Sequence, residues 1–325
     1  MQKASTGARL VRAFFCLFSL LLPVHETALA SGGPPARVVV PTTPGGAASL
    51  QAEYLAEAMW RPGGQAWIVD HRSGFGREAG EAVVARSPAD GQTLLLASAS
   101  LAVRAASPPT GSGFDPTREL KPVIHLSSTP LVLAVHPAVP VTSLEQLLAL
   151  ARGQKYRLEV AASSAAGLDG LAAAMLLPPV AAARISIRRG ESAALRALTG
   201  GQVDAMFVAA PLAVAHVAAG RLRPLATTAA SRHPVLAALP TLANPSRDFV
   251  GNQWYGLFVP AGTADEVVAD VHARVRQTLR AESVVSFFSD RALVPGSDDP
   301  AALGALLRQD MARYAAMIRR AGLVL

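Results

Sequence analysis

The chain is poor in the residues that carry covalent, metal and redox chemistry. It has one cysteine, Cys16, in 325 residues, so a disulfide framework and a cysteine-built zinc site are both excluded. Its seven histidines, at positions 25, 71, 125, 136, 216, 233 and 272, include no i,i+3 or i,i+4 pair, so no helix offers two imidazoles to one metal. Aromatic residues make up 5% and charged residues 16%. There is no Lys/Arg run and no aromatic interleaving of the basic positions, which argues against a nucleic-acid surface. No G-x-S-x-G nucleophile elbow occurs; Gly111-Ser112-Gly113 sits in a proline-rich loop with no strand before it. Beyond residue 30 no segment approaches the roughly 18 uninterrupted apolar residues of a spanning helix. Nothing calls for a metal or a cofactor, and no constellation requires catalysis.

What the chain has is small apolar residues. Hydrophobic positions make up 51%, mostly Ala, Leu and Val, enough for a large core and against disorder. At about 150 residues per domain, the length points to two domains. A net charge of +7 favours anionic ligands. The first thirty residues stand apart. Lys3, Arg9 and Arg12 precede an apolar run from Ala13 to Val24, and Ala28-Leu29-Ala30 offers a small-x-small cleavage pattern. This predicts a secretory signal peptide over residues 1–30 and an exported, soluble protein of the periplasm. Cys16 lies inside the leader behind Ala13-Phe14-Phe15, unlike a lipoprotein box, so no lipid anchor is expected.

Past Ala30, short β-branched runs alternate with stretches of helical period, the pattern of βαβ units. Strands are predicted at 37–40, 66–70, 93–97, 122–126, 131–135, 157–161, 184–188, 205–208, 223–226 and 255–259. Helices are predicted at 47–60, 143–151, 168–177, 192–198 and 213–219 among others, and the tail is read as helices only, at 264–280, 282–291 and 300–321. Asp299 before Pro300 reads as the N-cap of the last helix. Proline-rich breaks at Pro137–Pro140 and Pro240–Pro245 bracket a middle block. The organisation expected is one discontinuous lobe, residues 31–130 and 253–325, with a second lobe, 131–252, inserted into it. Ligand sites in such α/β lobes lie beyond the carboxyl ends of the strands.

One motif invites a dinucleotide reading. Strand 67–70 runs into Gly74-Phe75-Gly76-Arg77-Glu78-Ala79-Gly80, but the third glycine is one residue late and the second strand ends at Leu96-Ala97-Ser98 without its acid. The segment reads as a glycine-rich turn. Three other strand-to-helix loops are rich in backbone donors: Pro44-Gly45-Gly46, Ala161 to Gly167, and Arg188-Arg189-Gly190-Glu191-Ser192. Glycine lets main-chain N–H groups approach a ligand, and a helix N-terminus adds partial positive charge. Two such ends from opposite lobes would clamp a small carboxylate.

At these loops the sequence resembles the Bug-type solute receptors of tripartite tricarboxylate transporters. The likeness covers nearly the whole chain past residue 30. It runs from Val39-Val40-Pro41 and Pro44-Gly45-Gly46 through Asp70 to Gly76 and Pro88-Ala89-Asp90-Gly91-Gln92-Thr93-Leu94 to Phe114-Asp115-Pro116 with Leu120-Lys121-Pro122-Val123. Its most specific stretches are Leu198 to Phe207, Gly220 to Ala226 and Trp254 to Thr263. The resemblance implies a two-lobed α/β fold of the type II periplasmic class, a Venus flytrap, closing on a small carboxylated ligand. The sequence departs from the family pattern at Ser49, at Ala165-Ala166, at Arg188-Arg189 and at Val208, positions that bear on the ligand rather than the fold.

The function expected is a non-catalytic receptor that delivers an organic anion to membrane permease subunits. Alternatives in view are a sensory module for a histidine kinase and a periplasmic enzyme on the same scaffold. The protein is expected to act as a monomer. Pro44, Gly45, Gly46 and Ala47 are expected to meet one carboxylate, with Ser49 beside them, and Ser163, Ser164 and Gly167 to form the opposite loop. Ser98 and Ser100 would add hydroxyls, and Arg188 or Arg189 a guanidinium for a second carboxylate.

Overall fold

The computed structural model describes residues 34–60, 65–74, 78–107, 114–153, 155–177, 183–229, 234–242, 249–296 and 299–323. The expected signal peptide lies outside the described residues, as do Phe75-Gly76-Arg77, Gly111-Ser112-Gly113 and Pro245.

In chain order the strands are β1 (Ala36–Val40), β2 (Trp67–His71), β3 (Thr93–Ser98) and β4 (Leu120–Thr129). Then come β5 (Leu131–Val135), β6 (Leu158–Ala162), β7 (Ala183–Ile187), β8 (Ala205–Ala209) and β9 (Arg223–Thr227). The series ends with β10 (Gln253–Pro260) and β11 (Val294–Pro295). The helices are α1 (Ala47–Met59), α2 (Glu78–Ala85), α3 (Ser100–Ala106), α4 (Pro116–Glu119), α5 (Leu144–Arg152) and α6 (Leu168–Leu176). After them come α7 (Glu191–Thr199), α8 (Ala210–Ala218), α9 (Asp265–Leu279), α10 (Glu282–Ser289) and α11 (Pro300–Ala321).

These strands form two mixed sheets, ordered β11-β4-β10-β3-β1-β2 and β7-β6-β8-β5-β9. In the first, β1 is parallel to β2 and β3, while β10 runs antiparallel between β3 and β4. In the second, β6 is parallel to β7 and β8, while β5 runs antiparallel between β8 and β9. The chain crosses from β4 to β5 through Pro130 alone and returns to the first sheet at Gln253.

The valine run of β1 reads as a strand covered on both faces, and Val38, Val39 and Val40 are fully buried. Proline inside strands falls where pairing already slips: Pro122 opposes Phe258 at a register shift, and Pro224 opposes Ala134 at another, on the edge strand β9. Helix α11 starts as its sequence predicts, with the Asp299 carboxylate accepting from Ala301 N–H at 2.8 Å and Pro300 in the first turn. It is tied to the sheet by Asp310, which accepts from the Trp254 indole at 2.8 Å and the Tyr314 hydroxyl at 3.3 Å. Burial pushes the Asp310 carboxyl above its usual range. The reading of an all-helical tail needs correction. Val294–Pro295 pairs with Ser128 and Ser127 of β4 as a two-residue edge strand, too short to leave a period in the sequence.

Candidate ligand-binding cleft

The β1–α1 loop turns on Gly45, whose φ of +83° suits glycine, while the N-cap Gly46 is extended at φ −90°. Helix α1 has no acid in its own first turn. A carboxylate reaches it from the other sheet's connections: Ala47 N–H donates to Glu191 Oε2 at 2.8 Å. The neighbouring Ser192 hydroxyl donates to the Pro44 carbonyl. Gly190 has a φ of +99°, and a Cβ there would collide with Thr43 Oγ1. Three successive residues at the start of α7 are thus fitted to the β1–α1 loop. Ser49 is fully buried and directs its hydroxyl to the Thr43 carbonyl at 3.4 Å, serving its own loop.

The β6–α6 loop carries its own acid. Asp169, in the first turn of α6, accepts from Ser163 N–H at 2.5 Å and from the Ser163 hydroxyl at 2.9 Å. Gly167 N–H closes the turn onto the Ser164 carbonyl at 3.2 Å. Leu168 N–H, at the helix start, donates to Ser100 Oγ at 3.2 Å, so the buried Ser100 bridges the two halves of the molecule. The β7–α7 loop hangs on this one through Gly190 N–H to the Ser163 carbonyl at 3.2 Å.

Between these loops lies a cavity of about 610 Å³. The first sheet's side contributes Pro41, Thr42, Thr43, Ser73 and Gly74. The opposite wall is Ser163, Ser164, Ile187, Arg189 and Gly190. Thr42 Oγ1 is buried without a hydrogen-bond partner. Arg189 is exposed and makes no ion pair among the described residues. Arg188 is drawn off instead, 3.6 Å from Glu159 Oε1. A hydrogen bond from Ser186 and the guanidiniums of Arg184 and Arg188 hold the Glu159 carboxyl below its usual range.

Of the expected site residues, the cavity therefore gathers Ser163, Ser164 and Arg189. Pro44, Gly45, Gly46 and Ala47 lie beside it, where α7 docks. Ser98 belongs to β3, paired with Tyr255 and nearly buried. Thr42, Ile187, Asp169 and Glu191 escaped the sequence reading. An acid opening a helix reads as a complement to that helix's own dipole, and nothing in the sequence shows that Glu191 reaches a second helix.

Residues 52–323 match the model of the tripartite tricarboxylate transporter family receptor. The chain belongs to that family. It is 28% identical over 292 residues to protein BugT of Bordetella pertussis, covering 89% of each chain. It is 31% identical over 288 residues to the UPF0065 protein in the tcbD-tcbE intergenic region of Pseudomonas sp. strain P51, covering 86% of this chain and 84% of that protein. Among solved structures, R. palustris Rpa4515 with adipate superposes with a TM-score of 0.82 at 27% identity, over 89% of this chain and 98% of that one. The receptor is of the Bug type that its motifs resemble, and it has the two-lobed α/β fold of periplasmic binding proteins. Among the described residues no three His, Cys, Asp or Glu converge as a metal cluster, and no helix is long and apolar enough to cross a membrane.

Proposed function

We propose that this receptor captures a small organic carboxylate between its lobes in the periplasm and delivers it to the permease subunits of a tripartite tricarboxylate-type transporter. The observation that carries this reading is the cavity of about 610 Å³ walled by both sheets' loops. That volume falls in the roughly 300–1,000 Å³ range of small-molecule sites. Among the described lining residues Arg189 is the cation and no acid is present. A guanidinium donates two parallel hydrogen bonds to a carboxylate. The relative from R. palustris, solved with adipate, supports the same ligand class. The lobes are 31–130 with 253–325, and 131–252, hinged where Pro130 and the segment before β10 cross between sheets.

The test is native mass spectrometry of protein purified without denaturation, followed by calorimetry with the acid that travels with it. Arg189→Ala should weaken that acid by about 1.5–3 kcal/mol, the range for a charged hydrogen bond. Scattering should show a smaller radius on binding, since closure compacts two lobes. Unaltered binding by Arg189→Ala would remove the arginine from the site, and failure to bind any organic acid would sink the reading.

A further inference from the structure

We infer that Glu191 is a specificity-determining residue, a resident carboxylate that makes this receptor prefer monocarboxylates with an apolar body over dicarboxylates. The inference rests on the receptor reading above and sharpens its ligand class. Glu191 Oε2 sits 2.8 Å from Ala47 N, at the N-terminus of α1, and 3.0 Å from where a Cβ on Gly46 would stand. The same residue opens α7, so one carboxylate serves the positive ends of two helices. Its place is held from both sides: Gly190 fits against Thr43, and Ser192 bonds the Pro44 carbonyl.

Glu191 stands beside the cavity, whose described wall has a different character. Arg189 is the cation of the described cavity wall. Beside it the wall holds the buried, unpartnered Thr42 hydroxyl and the Ser164 side chain. Ile187, 47% exposed, gives the wall an apolar patch. One anionic group and one apolar body match that lining. A second ligand carboxylate aimed at the β1–α1 loop would lie against the charge of Glu191, where like charges repel at short range. Nor does Ser163 offer an alternative, because Asp169 takes both its N–H and its hydroxyl.

The experiment is calorimetric titration of wild type, Glu191→Gln and Glu191→Ala with two matched pairs, hexanoate against adipate and benzoate against terephthalate. Glutamine keeps an oxygen for Ala47 N–H and removes only the charge. Wild type should bind the monoacid of a pair at least tenfold tighter than its diacid. Glu191→Gln should shift that ratio at least tenfold toward the diacid, while any closing energy lost with the charged bond lowers the affinity for both acids of a pair alike. A wild type that prefers the diacids overturns the inference, whether or not the variants fold. So does an unchanged ratio in Glu191→Gln and Glu191→Ala. Those results leave the receptor reading intact. If none of these acids binds any of the three proteins and no organic acid travels with the natively purified protein, the receptor reading fails and the inference falls with it.

Discussion

The β1–α1 and β6–α6 loops look alike and are held by different means. Both run from a strand end to a helix capped by an extended glycine, Gly46 at φ −90° and Gly167 at φ −92°, and neither cap residue supplies a side-chain bond. Both are met by a carboxylate of the protein. For α6 it is Asp169, six residues from Ser163; for α1 it is Glu191, 144 residues from Ala47. A carboxylate from the loop's own helix is in place whenever that lobe is folded. One from the other lobe is in place only while the lobes are together. We therefore expect the first to act in folding and the second in opening and closing.

The sharpest way to break this contrast is at Asp169, which is 9% exposed. Asp169→Ala removes two charge-assisted bonds and strands a buried N–H, so the unfolding free energy should fall by about 3 kcal/mol. Chemical denaturation measures it, and a loss below about 1 kcal/mol would make the acid dispensable to its loop. Gly190→Ala comes next. Its φ of +99° with ψ of 151° is a region essentially reserved for glycine, so alanine should cost about 1–3 kcal/mol. Adding Thr43→Ala separates backbone strain from the cross-lobe collision. If the second change restores stability, the collision dominates; if it restores none, the strain is local to the β7–α7 loop.

Much of the fold was legible because its signals are local. Valine runs mark β1, helical spacing marks α1, and Asp299-Pro300 marks the start of α11 to the residue. Strand ends rich in glycine and serine pointed to loops that line the cavity or lie beside it. What sequence cannot carry is contact across 144 positions, so nothing in it marks Glu191 as the partner of α1. Nor could it choose between two adjacent arginines. The choice depends on Glu159, which the parallel pairing of β6 with β7 sets beside Arg184, and which takes Arg188 as well. The family-like Gly-Gly-Gln-Val-Asp stretch was specific without being part of the cleft. Its Asp204 accepts from the Tyr156 hydroxyl and Glu159 N–H, both at 2.7 Å, and so fixes the start of β8 against β6.

The smallest expected effect is also the most discriminating. Ser192 donates its hydroxyl to the Pro44 carbonyl across the cleft, a neutral bond at a partly exposed site. Such a bond contributes about 1 kcal/mol at most once water competes for both groups. Because it spans the lobes, that energy should enter the closing equilibrium and not the stability of either lobe. Ser192→Ala should therefore leave the denaturation midpoint where it is and weaken a bound monoacid such as hexanoate by about fivefold or less, the equivalent of about 1 kcal/mol. The free protein should scatter with a slightly larger radius than wild type, since one contact favouring closure is gone. Asp169→Ala should show the opposite pattern, a lowered midpoint with an unchanged radius in the folded protein. If Ser192→Ala lowers the midpoint as Asp169→Ala does, the α7 contact is part of the folded core, and the distinction between the two loops collapses.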